Sequence, residues 1–397
     1  MTQATLEFAA TSPDHTNLAG ALAGNLASAP HRAAVITARS ASELEAYSIG
    51  WDHARHGVTP ALKYLHPDNP IRQGWEAARP VFAGRTVKPT VAHRQWLQLR
   101  MQAWQGGHPI DDIQVNPSYL AQIDTPLCPI TRQPLAHFTE QAHDAVVVRL
   151  NPCANHQAGN LVVISRQALE STQGVPSWQA ALQNAQQDQP TGLTSDAWQR
   201  WAVMMTFAQK VPHAQAASLP LCALPPNRVR VANLIQSVQV MLTLQFTAAG
   251  YARRLLELAA LLPSGDIRQA FQIFMHTLLA RRLSVGATAT AQDTRHALED
   301  AWLDPLVNRR WQRLSWHLTE AMCEQWLRRA SERGLMVGGM RWMLGDNDEP
   351  ACSRAAAPAT RRSRAARPET HKTYAAAASG LTKPGIARSL GSQKLAS

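Results

Sequence analysis

Cysteine is scarce in this chain of 397 residues, and the five present (Cys128, Cys153, Cys222, Cys323 and Cys352) are scattered without a pairing pattern. That argues against a disulfide-held exported scaffold and for a reducing compartment. Long apolar runs are missing too. The longest uncharged stretch, residues 231–251, carries Asn233, Gln236, Ser237, Gln239, Thr243, Gln245 and Thr247, so it reads as a buried amphipathic helix and not as a membrane span. The start, MTQATLEFAATSPDH, has neither the basic residues nor the apolar core of a secretion signal. A soluble, cytoplasmic protein with no membrane partner is the expectation. Acidic residues are nearly absent from one region. From Pro350 onward a single acid, Glu369, faces nine Lys and Arg, which places +8 of the formal +11 in the tail and leaves the body near neutral at +3.

Hydrophobic material is ample: 45% of residues are apolar and 12 are tryptophan, enough for cores in two or three domains. The pattern is helical almost throughout. Residues 1–39 read as loosely ordered. A short helical unit over 40–120 starts with a capping box at Ser42 and Glu45. It continues with a helix over 71–79 stopped by Pro80, and an amphipathic helix over 90–105 whose Arg94 and Arg100 read as a solvated face. Residues 121–171 are the one stretch that reads as strands. Residues 172–194 read as a linker. A helical bundle is expected over 195–345, with helices over 229–262, 266–283 and 292–333. The Trp and Met stripes are core positions. In the last of these helices Arg309, Arg310, Arg313, Arg328, Arg329 and Arg333 are matched by Glu299, Asp300, Asp304, Glu320 and Glu324, which predicts a salt-bridged solvated face. The tail over 346–397 reads as disordered and basic. The expected fold class is mainly α, with a small ββα module between an N-terminal helical unit and a C-terminal helical bundle.

Two segments carry resemblances. In the first, Ala46-Tyr47, Gly50-Trp51, Ala54 and Gly57 are followed by Arg72, Gly74-Trp75 and Ala77. This pattern resembles ribosome modulation factor and its two-helix relatives, which implies contact with ribosomal RNA or protein. The plainer reading is that the tryptophans pack the two helices and the glycines permit close approach. In the second, Cys128-x-x-Thr131 precedes a β-like run over 146–151, a loop with His156, Gly159-Asn160-Leu161 and a helix-like 166–170. That order resembles the HNH nuclease fold, a zinc-knuckle hairpin followed by a helix. The resemblance implies a His general base, a divalent metal against the phosphate and a four-thiolate structural zinc.

Position by position the match is partial. Cys128 stands at the first knuckle, but Thr131, Ser165 and Ala168 occupy the other ligand positions. Val148-Arg149 replaces the Asp-His or Asp-Arg pair. His137, His143, His156 and Asp144 lie near but out of place. The expectation is therefore no catalytic residue, no metal ligand set and no cofactor. Candidate nucleic-acid contacts are Arg149 and Asn160 in the hairpin, and Arg361, Arg362, Arg364 and Arg367 in the tail. The whole chain is also similar to a β-proteobacterial protein family without an assigned activity, through Gly50-Trp51, His66-Pro67, Gly74-Trp75, Arg94-x-Trp96-Leu97-x-Leu99-Arg100 and Cys128-Pro129-Ile130-Thr131-Arg132. Three readings remain open: a non-catalytic binding protein for DNA, RNA or the ribosome; a helical scaffold with an unknown protein partner; and a metal-dependent nuclease with displaced ligands.

Overall fold

Capping side chains set the helix starts and so fix where the chain turns. The computed structural model describes residues 40–337 except 188, 189, 191, 264 and 287. Among them the chain forms 14 α-helices and one two-stranded antiparallel sheet, a mainly helical fold. Helix α1 (Ala41–Arg55) opens with a capping box two residues earlier than the sequence suggested: Ser40 Oγ accepts from the Glu43 N–H, and the Glu43 carboxylate accepts from the Ser40 N–H. Asn69 caps α2 (Pro70–Phe82). Pro80 lies inside α2 and does not end it: only Val81 and Phe82 follow, so the kink its ring imposes against the preceding turn disturbs no long run of helix.

The α1–α2 crossing is held close by glycine. A Cβ on Gly50 would lie 1.9 Å from the Ile71 carbonyl oxygen, and one on Gly74 2.0 Å from the Tyr47 carbonyl oxygen. Trp51 packs edge-on against Phe82, with ring centroids 5.8 Å apart. Helix α3 (Val91–Gln105), capped by Thr90, lies against this pair. Arg100 is not on a solvated face as expected. It is 5% exposed, pairs with Asp52, donates to Ser48 Oγ at 2.9 Å and stacks on Trp96. A guanidinium so buried requires such partners.

After α4 (Pro117–Ile123) come strands β1 (Ala145–Arg149) and β2 (Leu161–Ser165), then α5 (Arg166–Thr172) capped by Ser165. The register pairs Val147 with Val163 and Val148 with Val162. Val147, Leu161 and Val163 join Leu99, Val115, Leu120 and Ile123 in one core, while Val162 and Ile164 face the larger helical core. The hairpin is thus a wall between two cores. Burial on both faces explains why β2 is a continuous apolar run, and how a sheet of two strands, marginal by itself, is held.

The second half holds α6 (Trp178–Ala185), α7 (Ser195–Phe207), α8 (His213–Ser218), α9 (Leu234–Gln245), α10 (Tyr251–Ala260), α11 (Gly265–Ser284), α12 (Ala291–Ala301), α13 (Pro305–Ser315) and α14 (Glu320–Glu332). Three expectations change here. The segment read as a linker contains α6, capped by Ser177 and packed on α7. The helix expected over 229–262 is two, divided at Gly250 in the left-handed region (φ 70°). The helix expected over 292–333 is three. Asp304 caps α13 with Pro305 in its first turn, and Thr319 caps α14. The tryptophan stripe is core as expected: Trp302, Trp311 and Phe274 meet with centroids 5.4–5.5 Å apart. The polar residues of α9 lie inside; Gln239 and Gln245 donate to the Leu219 and Leu335 carbonyls. No helix among the described residues is long and apolar enough to cross a membrane.

Candidate nucleic-acid interface at the hairpin

The two ends of the hairpin differ in what their polar groups do. At the end nearest Cys128, the turn Cys128–Arg132 closes through the Arg132 N–H to the Cys128 carbonyl (2.8 Å), with Arg132 at φ 60°. Cys128 is fully buried, and its Sγ accepts from the Ser165 N–H at 3.4 Å. Ser165 Oγ accepts from the Ala168 N–H at 3.2 Å, and Ala168 is itself buried. All three side chains are therefore engaged in packing or capping.

Arg132 then reaches into the helical half. It donates to both oxygens of Asp300 (2.8 and 2.6 Å) and to Glu299 Oε2 (3.2 Å). Arg200, 6% exposed, donates to the Ile130 carbonyl at 2.8 Å. Glu299 Oε1 accepts from the Leu224 N–H (3.0 Å) and from Arg295 Nε (3.2 Å). Burial lowers the Arg132 guanidinium, but Asp300 and Glu299 outweigh it and raise it overall. Glu299 and Asp300 were expected to offset the arginines of their own helical run. They hold Arg132 and Arg295 instead, and Asp304 pairs with Arg281.

Asp144 is also structural. It is 3% exposed and accepts from Thr139 Oγ1 (2.6 Å) and from the Thr139 and Glu140 N–H groups, with Arg166 at 3.6 Å. Burial pushes its carboxyl up, yet these donors prevail and hold it below the usual carboxylate range. They stabilise a turn in which Phe138 and Glu140 both take positive φ. His137 is tied to Asp124 at 3.2 Å, and His143 is exposed.

The loop over 150–160 forms the other end. Asn160 is 3% exposed and organises it: Oδ1 accepts from the Asn151 N–H (2.8 Å), and Nδ2 donates to the carbonyls of Asn151 (3.2 Å) and Asn155 (3.1 Å). Both ends of its amide are engaged within the loop, so any role toward a ligand is to shape this loop. Asn151 continues the pinning, accepting from the Cys153 N–H and donating to the Ala208 carbonyl. The strand-ending Asn151-Pro152 step, a turn signal, could have marked it. Arg149 Nη1 donates to the Ala154 carbonyl at 3.0 Å.

Gly159 takes φ 94°, its N–H donates to the Tyr119 hydroxyl (3.0 Å), and its carbonyl accepts from the Arg230 N–H (3.0 Å). A Cβ there would come within 2.9 Å of Arg230 Cβ, so both the backbone angle and the neighbour require glycine. This contact brings the segment 228–230 beside the loop. Arg228 and Arg230 lie close enough to the Tyr119 hydroxyl to act on it, although burial raises that phenol overall. Sequence reasoning missed both arginines; the Pro225-Pro226-Asn227 turn preceding Arg-Val-Arg was the available signal.

His156 sits at the edge of this group. It is 7% exposed, its Nδ1 has no partner, and its ring centroid is 6.2 Å from that of His108. Burial first, then Arg149 and His108, push it down to about 4, so it is neutral at neutral pH. The arginines in ion pairs among the described residues are Arg72, Arg100, Arg132, Arg166, Arg200, Arg253, Arg281 and Arg295. Arg149 and Arg230 are outside that set. Among the described residues neither Arg149 nor Arg230 therefore has a carboxylate partner. Among the described residues no three His, Cys, Asp or Glu come together as a group that could hold a metal ion. Arg361, Arg362, Arg364 and Arg367 lie outside the described residues. No protein-family model, curated protein or solved structure matches the chain.

Proposed function

We propose that this protein is a non-catalytic nucleic-acid- or ribosome-associated binding protein, in which a hairpin of HNH-like order has kept its shape while its ligand positions have become packing positions. The observation that carries the reading is the segregation of charge: +8 of the formal +11 lies after Pro350, where nine Lys and Arg face one acid. A near-neutral folded body with a strongly basic extension suits sequence-independent attraction to phosphate through counterion release. Arg149 and Arg230 at the hairpin loop, which form no ion pair among the described residues, support the same reading with positive charge on the body. The α1–α2 pair, similar in pattern to ribosome modulation factor, adds the ribosome as a partner.

The test compares full-length protein with protein ending at Asp346, in binding to labelled RNA and DNA over a range of salt. The truncated protein is expected to bind much more weakly and with a smaller slope of log affinity against log salt, because fewer phosphates are neutralised. Equal and negligible binding by both proteins overturns the proposal and leaves a helical scaffold.

A further inference from the structure

Helix α13 carries a second basic surface, and its geometry differs from that of a merely solvated helix. Val307, Trp311 and Leu314 are buried on one side, with Trp311 fully enclosed. The opposite side presents Leu306, Arg309, Arg310, Arg313 and Trp316, positions spaced by three or four residues and hence on one face. Arg309 and Arg313 are exposed, and Trp316, which extends the helix through its N–H to the Gln312 carbonyl, is 86% exposed. Among the described residues none of these three arginines forms an ion pair: Glu299, Asp300 and Asp304 are held by Arg132, Arg295 and Arg281, and Glu320 and Glu324, on the following helix, make no ion pair with them. Trp316 is the one aromatic side chain on this face, and its indole is open to a flat partner.

We infer that the α13 face binds single-stranded nucleic acid, with phosphates on Arg309, Arg310 and Arg313 and one base stacked on Trp316. The inference deepens the nucleic-acid reading above and rests on it. Three observations select this occupant. The three charges on this face are of one sign and form no ion pair among the described residues, which suits a polyanion. A flat aromatic surface stands at the end of the basic row, and every base offers a π-face to it, whereas bases within a duplex are already stacked. The dimensions also agree. From Arg309 to Trp316 the helix rises about 10 Å at ~1.5 Å per residue, a length that spans a few phosphates of a strand running along it. A lipid surface would need a wider apolar band than one indole and a half-exposed Leu306, since the rest of the apolar side of α13 lies in the core.

The experiment uses the full chain and fluorescence anisotropy with a labelled single-stranded homothymidine oligonucleotide, a labelled duplex and phosphatidylglycerol vesicles. Trp316→Ala is expected to weaken single-strand binding about tenfold, the scale of one lost base stack, while duplex binding and the salt slope stay unchanged. Trp316→Phe is expected to recover most of the loss. Combined Arg309→Ala, Arg310→Ala and Arg313→Ala is expected to flatten the single-strand salt slope by about 2, at ~0.7 per phosphate. Arg309, Arg313 and Trp316 are exposed and Arg310 is half-buried, and circular dichroism of each variant is the check that it folds. Unchanged single-strand affinity in Trp316→Ala, alongside a loss in the combined Arg361→Ala, Arg362→Ala, Arg364→Ala and Arg367→Ala variant, overturns this inference while leaving the proposed function standing. Loss in Trp316→Ala with no loss in the tail variant supports this inference and removes the tail from the reading. Vesicle binding that needs Trp316, without oligonucleotide binding, overturns it in favour of a lipid surface. Absence of nucleic-acid binding in the wild type overturns both.

Discussion

The two ends of one short hairpin treat positive charge in opposite ways. At the Cys128 end, Arg132 meets two carboxylates, Asp300 and Glu299, and Arg200 is closed over by the Ile130 carbonyl. At the loop end, Arg149 has a backbone carbonyl and Arg230, among the described residues, no carboxylate, although both flank a tightly held turn. The first arrangement is what a fold needs, because a buried guanidinium without a partner is destabilising by several kcal/mol. The second contributes little to stability and leaves the charge available. The same contrast recurs within the last helices, where Asp304 is taken by Arg281 and the arginines of α13 form no ion pair among the described residues. Pairing therefore separates the arginines that hold the molecule together from those that can meet a partner.

Breaking the paired end should give the largest effect. Glu299→Ala leaves Arg132, Arg295 and the Leu224 N–H short of an acceptor in a site where Glu299 is 5% exposed. A loss of about 3–5 kcal/mol is expected, measured by the midpoint of urea unfolding. A loss below ~1 kcal/mol would mean that the network is solvated and equivalent to a surface pair.

A pH titration is expected to show a somewhat smaller effect. His156 is pushed down to about 4 by burial, with Arg149 and His108 adding to it. The unfolded chain takes up a proton below about 6.5 and the folded chain only near 4. Stability conferred by the neutral imidazole is thus complete above pH ~6.5 and is lost as pH falls toward ~4, by about 2–3 kcal/mol. His53, His56 and His296 are lowered in the same direction, chiefly by burial, and add to the slope. His156→Gln should flatten the stability–pH curve in this window. An unaltered curve would assign the slope to the other histidines. Asn160→Ala comes next, at about 2 kcal/mol, because it orphans the Asn151 N–H and two carbonyls. Faster proteolysis within the loop over 150–160 is the corresponding local readout.

How far the sequence discloses this contrast depends on the range over which each signal acts. The close approach of α1 and α2 is legible, since Gly50 and Gly74 sit at helical positions beside Trp51 and Trp75, and each faces the other helix's backbone. The hairpin strands are legible as short runs of β-branched apolar residues, and the tryptophan core from its helical spacing. Asp304-Pro305 was also visible as a helix start, but the apolar spacing across it favoured one long helix. The arginine partners were not legible. Arg132 and Asp300 are separated by 168 residues, and a local count of charges assigns Asp300 to the wrong neighbours. Arg100 failed for the same reason, its partner Asp52 lying on another helix. Local periodicity thus reports burial well, while charge pairing is decided by tertiary contacts that no window contains.

The smallest stability effect is the sharpest test of the comparison. Arg230 is exposed, its side chain meets no carboxylate among the described residues, and only its backbone holds the Gly159 carbonyl. Arg230→Ala keeps that backbone bond and removes the charge together with an exposed side-chain stem. Unfolding free energy is therefore expected to change by less than ~0.5 kcal/mol, as for surface substitutions generally. If the loop end meets phosphate, RNA or DNA affinity should still fall severalfold, and the salt slope should drop by about 1 in proportion to one lost contact. Arg230→Lys, which restores the charge without the planar fork, should recover the slope. The opposite outcome, a stability loss above ~1 kcal/mol with binding intact, would place Arg230 with Arg132 among the arginines that hold the fold, and the distinction between the two ends would fail.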